Sequence, residues 1–316
     1  MAEQAIVPPV RSGEPPAWRV WWRLARPFSL TASTVPVLVG TSVAVYQGAF
    51  RAPDLLLAML VASVLIQIAT NMFNEYYDYR RGLDTPQTVG IAGAIVSGRV
   101  APIAVFAAAT SCFFVALMLG IYIVLNTSTS VLFWGMASAL AGYLYTGGPL
   151  PIAYTPFGEP TVGFFMGPVI VGLAAFIQTG TLTAAAMWAS LPIGCLVAAI
   201  LLANNIRDIV ADARAGRRTI PIALGRRASI AVFALLFGGA YVGAIAAVLL
   251  RELPVTALLP LVTIPIPPRL VQLFRSTDDP QALNSGVRGS AALHGQFGLV
   301  FALGISLGPL LARLTG

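Results

Sequence analysis

Two short stretches hold the residues whose types and spacing could do chemistry. In "NMFNEYYDYRRGLD" (71–84), Asn71, Asn74, Glu75, Asp78 and Asp84 crowd together, in a chain whose charged fraction is only 10%. Gln67, Asn71 and Glu75 step by four, and Asn74 and Asp78 step by four beside them, so on a helix all five share one side. In "LLANNIRDIVADARAGRRT" (201–219), Asn204, Asp208 and Asp212 also step by four. Each stripe runs into glycine and arginine: Arg80, Arg81 and Gly82 after the first, Gly216, Arg217 and Arg218 after the second, with Arg207 inside the second. The two read as a pseudo-repeat of acidic helix end, glycine break and basic follow-on.

A helix C-terminus carries partial negative charge, so carboxylates there are unfavourable without a cation. Two acidic stripes around one pocket would also repel each other. A divalent metal relieves both, and hard oxygen ligands with no His/Cys cluster point to Mg²⁺ rather than zinc. Mg²⁺ keeps several waters and binds through a few carboxylates plus substrate phosphates. Guanidinium groups fork onto phosphate oxygens, so Arg80, Arg81, Arg207, Arg217 and Arg218 are the expected diphosphate-binding residues. One such cluster could be the solvated edge of a helix; two with matched spacing and matched arginines point to a diphosphate site.

The elements that must position these stripes are membrane helices. The chain has 316 residues, 57% of them hydrophobic, and a mean hydropathy of +0.82, outside the range of a soluble globular domain. Apolar runs long enough to cross ~30 Å of hydrocarbon recur along it. Nine spans are expected, near 29–49, 54–77, 101–124, 130–147, 161–179, 184–206, 228–249, 253–273 and 293–313. The eighth must be kinked or re-entrant, because it holds Pro254, Pro260, Pro265, Pro267 and Pro268. The expected architecture is all-α: a flexible tail over 1–17, then one transmembrane domain over 18–316.

The net charge of +7 comes from arginine alone, as the chain has no lysine. With a cytoplasmic N-terminus, all of the 19 arginines except Arg51, Arg251 and Arg313 fall on the cytoplasmic side, the asymmetry of the positive-inside rule. The basic balance is thus a topology signal, not a nucleic-acid footprint. Four crossings separate the second and sixth spans, so both polar stripes emerge on the cytoplasmic face. The N-terminus lacks the apolar region of a cleavable signal, and its Trp/Arg-rich end should lie along the interface. Cys112, Cys195 and His294 fall in apolar runs and read as packed residues. A diphosphate handled inside a membrane suggests a lipid. Metal-assisted ionisation of an allylic diphosphate would leave a carbocation, which an aromatic-lined channel could shelter.

At these residues the sequence resembles the UbiA-type membrane prenyltransferases, and within them those that act on 1,4-dihydroxy-2-naphthoate in menaquinone synthesis. "ARPFSLTASTVPVLVGT" (25–41), "NMFNEYYDYRRGLDTPQTVG" (71–90), "YTGGPLPIAYTPFGE" (145–159) and "NNIRDIVADARAGRRTIPIALG" (204–225) carry the likeness. The resemblance implies nine helices around a cavity open to cytoplasm and lipid. It implies two Mg²⁺ held by Asn74, Glu75, Asp78 and Asp84 from one motif and Asn204, Asp208 and Asp212 from the other, with Asn71 one turn earlier. It makes Asn71, Asp78, Asp208, Asp212 and Tyr145 the expected catalytic set, Tyr145 steadying the cation. The expected partners are a polyprenyl diphosphate, an aromatic acceptor and membrane lipid.

The chain departs from the family pattern in three places. Glu75 stands where many members have Asp, Gly82 displaces the last acidic residue to Asp84, and Pro149 replaces a lysine four residues after Tyr145. An arginine must supply the charge of that lysine. Other acceptors (4-hydroxybenzoate, homogentisate, a porphyrin, a phosphosugar) stay open at this point. A cation-coupled transporter is the rival from another class, although its ion site would sit nearer the midplane on interrupted helices.

Overall fold

The computed structural model describes residues 16–84 and 93–315, and among them every regular element is helical. In chain order these are α1 (Ala17–Ala25), α2 (Thr31–Tyr46), α3 (Pro53–Arg80), α4 (Pro102–Asn126), α5 (Thr129–Thr146), α6 (Gly158–Phe164) and α7 (Ile170–Thr179). They continue with α8 (Ala184–Arg207), α9 (Ile209–Arg214), α10 (Ile220–Leu224), α11 (Arg226–Leu249), α12 (Ile266–Ser276) and α13 (Pro280–Thr315). The expected tail lies outside the described residues apart from its last two, and Ala17 already opens α1. Residues 85–90 of the first motif stretch also lie outside them.

Local sequence explains where the long helices begin. Pro53 and Pro102 occupy the first helical position of α3 and α4, where the missing N–H costs nothing. Ser128 caps α5 by accepting from the Ser130 amide, and Thr183 caps α8 by accepting from the Ala186 amide. α7 ends on Gly180 at φ 78, a left-handed cap open to glycine.

Among the described residues, seven helices are long and apolar enough to cross a membrane, or eight if the bent pair Ala17–Ser29 and Thr31–Tyr46 counts as one span. The expected nine spans are therefore not all recovered. α5, at 18 residues, lies where the fourth was expected and is not among these seven. The eighth span is interrupted as its prolines predict: a 3₁₀ segment over Val255–Thr263 precedes α12.

Small residues let the helices approach closely, as membrane helices do where hydrophobicity gives no preference between protein and lipid. A Cβ on Gly167 would lie 2.8 Å from Gly194 Cα of α8, and one on Gly40 of α2 would lie 2.2 Å from the Val171 carbonyl oxygen. The Gly167 contact sits in a π-helical stretch, Phe165–Val169, that contains Pro168 and joins α6 to α7. The main core gathers Phe233, Phe237, Phe274, Phe297 and Phe301 of α11, α12 and α13 around α8. α4 instead presents Phe114, Met118, Ile121 and Leu125 outward. This bundle sets the C-terminal end of α3 against the segment that follows α8.

Candidate active site

A cavity of about 540 Å³ runs into the bundle from that end, within the size range of small-molecule sites. Its walls are mostly apolar, with Met59, Phe113, Ile123, Phe165, Met166 and Leu201 among them. Arg26, Asn71, Asn74, Asn204, Asn205 and Arg217 bring polar groups to it, and Tyr145 lines it. Leu117, Leu132 and Met136 also line it while being 47%, 40% and 60% exposed on the outer surface. The cavity thus has a sideways mouth between α4 and α5.

The two acidic stripes meet at Arg217. Its Nη2 donates to Asp78 Oδ1 at 3.0 Å and its Nη1 to Asp212 Oδ1 at 3.1 Å. The guanidinium lies 4.8 Å from the Tyr154 ring centroid, and Arg81 stacks on the same ring at 5.2 Å. Although burial opposes its charge, Asp78 and Asp212 hold Arg217 more firmly protonated than a free arginine. Burial pushes Asp212 up to about 6, with Arg217 opposing and Asp208 and Asp78 adding to the rise. Burial also pushes Asp84 up to about 6, reinforced by Asp78 and Glu75 and opposed by Arg26 and Arg217.

A second clamp lies one turn earlier. Arg207 donates through Nε to Asp208 Oδ1 at 2.7 Å and through Nη2 to Oδ2 at 2.5 Å, a bidentate pair. The same guanidinium reaches Asn204 Oδ1 at 2.8 Å and Asn284 Oδ1 of α13 at 2.7 Å.

The remaining expected residues divide by what holds them. Asn71 donates to the Ala25 carbonyl at 2.9 Å and to Ser29 Oγ at 3.1 Å, on either side of Arg26, whose φ is 50, and just before the 49° bend between Ser29 and Thr31. Glu75 is buried, and its Oε1 accepts from the Ala94 amide at 2.7 Å. Arg81 donates to the Thr146 and Gly148 carbonyls at 2.6 and 3.0 Å, beside Tyr145. Arg80 and Arg218 are exposed and turn away from the carboxylates. Asn74 lies on the cavity wall.

Among the described residues no three His, Cys, Asp or Glu side chains are gathered closely enough to hold a metal ion unaided. Arg217 and Arg207 act as internal counterions to Asp78, Asp212 and Asp208. The donor set still suits a hard cation: Asp212 Oδ2 is buried with no hydrogen-bond partner among the described residues, and the carboxylates and amides nearby all offer oxygen ligands.

Sequence reasoning did not single out Arg26, Tyr154, Glu159 or Asn205. Arg26 and Tyr154 fall inside the quoted motif stretches, but nothing in local spacing marks them. Asn205 sits beside Asn204, and its Nδ2 donates to Glu159 Oε1 at 2.9 Å, across 46 residues of chain.

The cavity is apolar, lies inside a membrane bundle and is headed by paired carboxylate–guanidinium clamps, and the chain that forms it belongs to the UbiA prenyltransferase family, whose model matches residues 33–287. It is a membrane-embedded prenyltransferase. It is 40% identical to 1,4-dihydroxy-2-naphthoate octaprenyltransferase of Bacillus subtilis (strain 168), over 91% of this chain and 92% of that one. It is 29% identical to human UbiA prenyltransferase domain-containing protein 1, over 90% of this chain and 82% of that one.

The fold matches a UbiA homologue from Aeropyrum pernix K1 with a TM-score of 0.63 at 17% identity, covering 90% of this chain and 98% of that one. It also matches a UbiA homologue from Archaeoglobus fulgidus bound to GPP and Mg²⁺, with a TM-score of 0.55 at 15% identity, covering 89% and 99%.

Proposed function

We propose that this enzyme transfers a polyprenyl group from its diphosphate to 1,4-dihydroxy-2-naphthoate, which loses its carboxyl group to give the reduced, quinol form of a demethylmenaquinone. The observation that carries the prenyl-transfer site is the meeting of the two acidic stripes on Arg217 at the head of an apolar cavity. The likeness to the Bacillus subtilis octaprenyltransferase supports the choice of acceptor.

The apolar wall takes the prenyl tail, which continues into lipid through the mouth at Leu117, Leu132 and Met136. At the polar end Arg217 and Arg207 leave the carboxylates for the diphosphate oxygens, where bidentate contacts stabilise the departing anion. Asp78, Asp208 and Asp212, with Asp84, Asn74 and Asn204, would hold Mg²⁺, which supplies Lewis-acid stabilisation of the leaving group. With Arg217 and Arg207 on the diphosphate, the carboxylates they release would be free to hold the ion.

Tyr145 presents its ring to the allylic carbon as positive charge develops there. The acceptor ring attacks that carbon as the carbon–oxygen bond to diphosphate breaks. The ring carboxylate then departs as CO₂, returning its bonding pair to the ring, so no side chain need remove a proton from carbon. The apolar walls keep water from the cation. The arginine asymmetry supports an N-terminus and active site on the cytoplasmic side of the cell membrane.

The test is a competition assay on purified protein in detergent, with Mg²⁺ and a long-chain prenyl diphosphate. 1,4-Dihydroxy-2-naphthoate and 4-hydroxybenzoate are offered together and the products identified by mass. A prenylated naphthalene without the carboxyl group is the expected product. A prenylated benzoate alone would overturn the acceptor assignment.

A further inference from the structure

Neither acidic stripe accounts for a buried pair on the cavity wall. Glu159 lies in the first turn of α6 and is 3% exposed; Asn205, on α8, is 7% exposed and lines the cavity. Asn205 Nδ2 donates to Glu159 Oε1 at 2.9 Å, and Glu159 Oε2 is buried with no partner among the described residues. Tyr145 is adjacent: a Cβ on Gly158 would lie 3.8 Å from its hydroxyl oxygen. The neighbouring Asn204 points the other way, its amide donating to Asp208 Oδ2 at 3.4 Å. Two consecutive asparagines therefore divide between the diphosphate end and the α6 wall.

The chemistry of the pair fixes what it can bind. The nitrogen of the Asn205 amide faces Glu159, so the oxygen of the same amide is turned away from it. That oxygen takes no donor from the protein among the described residues. A lone carbonyl oxygen on a cavity wall attracts an O–H donor and repels phosphate or carboxylate oxygens. The diphosphate and the prenyl tail offer no such donor; a hydroxylated aromatic ring does.

We infer that Asn205 is a specificity-determining residue that reads a hydroxyl of the aromatic acceptor, and that Glu159 is the positioning residue that sets its amide the right way round. Asn205 Oδ1 accepts the acceptor's O–H and holds the ring beside Tyr145, where the allylic carbon arrives. The inference rests on the proposed reading that the acceptor is a hydroxylated aromatic, and it names the subsite for that hydroxyl.

The experiment compares each phenol with its O-methyl ether, which keeps the electron-donating oxygen but removes the donor. In wild-type protein kcat/KM for the free phenol should exceed that for the ether by roughly 100-fold, as for a site built around one hydroxyl. In Asn205→Leu the ratio should fall to within about threefold, while the KM for prenyl diphosphate and the melting temperature stay close to wild type. Glu159→Gln, which can still accept from the Asn205 amide, should keep most of the discrimination, and Glu159→Leu should lose it. Asn205→Ser, smaller and still polar, carries the comparison if Asn205→Leu does not fold.

An unchanged ratio in the Asn205 variants overturns the inference, as does a KM for prenyl diphosphate that rises in step with that for the acceptor. If wild-type protein prenylates 4-hydroxybenzoate and not the naphthoate, the acceptor assignment fails. Asn205 is then judged on 4-methoxybenzoate. Turnover of neither phenol overturns both.

Discussion

Arg217 Nη2 lies 3.0 Å from Asp78 Oδ1, joining residues 139 apart in the chain. With Asp212 on its other terminal nitrogen, this guanidinium holds the two acidic stripes together. Removing it leaves carboxylates facing one another in a half-buried site. Arg217→Ala is expected to cost about 1–3 kcal/mol of stability, below the roughly 3–5 kcal/mol for breaking a fully buried ion pair because this one is partly exposed. It should also lower kcat/KM for prenyl diphosphate by roughly 100-fold, as when an oxyanion-stabilising donor is lost. Mg²⁺ should raise the melting temperature of the variant more than that of wild type, because it replaces the missing cation. Thermal unfolding in detergent, with and without Mg²⁺, checks this.

The carboxyl groups of Asp84 and Asp212 are pushed up to about 6, so the folded protein binds their protons more tightly than the unfolded chain does. Their contribution favours the fold below the ordinary carboxylate value of about 4, and it is lost as pH rises through about 6. Metal binding needs the ionised form. Without Mg²⁺ the melting temperature should decline between about pH 4 and 6; with Mg²⁺ the decline should disappear. A larger effect of Mg²⁺ at pH 5 than at pH 7 would contradict the assignment.

Much of this was legible in residue types and spacing. Helical stepping placed Asn71, Glu75 and Asp78 on one side of α3 and Asn204 and Asp208 on one side of α8, and crossing parity brought the stripes to one end of the bundle. The proline-rich eighth span broke where expected. What spacing could not separate was the roles of the arginines. Arg80 and Arg81 are adjacent, yet one is exposed and the other donates to the Thr146 and Gly148 carbonyls, a difference set by the loop that packs against the end of α3. Tyr154, Glu159 and Asn205 gain their importance from partners on other elements, which local periodicity does not encode. The count of nine is not confirmed among the described residues, where seven or eight helices qualify and α5, at the fourth expected position, is not among them.

Glu75 offers a test of brace against ligand. Its Oε1 accepts from the Ala94 amide at 2.7 Å. Glu75→Gln can still accept there and should retain activity within about fivefold, whereas loss of a direct metal ligand would cost orders of magnitude. Glu75→Ala strands the buried amide at a cost of about 1–3 kcal/mol. Faster hydrogen exchange at Ala94 in Glu75→Ala alone would identify the brace.

The lateral mouth predicts a chain-length effect. Met136→Trp narrows the opening between α4 and α5 without touching the polar end. It should lower kcat/KM for a long-chain prenyl diphosphate by roughly tenfold and that for geranyl diphosphate by less than about threefold. Parallel kinetics with the two donors reads this directly; equal losses would place the tail elsewhere.

The most direct test of the central claim is Mg²⁺-dependent release of diphosphate, measured with prenylated product, for wild type, Asp78→Ala and Asp208→Ala in detergent. Wild-type protein should release one diphosphate per prenylated product and stop when Mg²⁺ is chelated. Both variants should insert and fold yet release none above background. Turnover that persists in both, or in wild type without a divalent ion, would contradict a metal-held diphosphate between the two stripes.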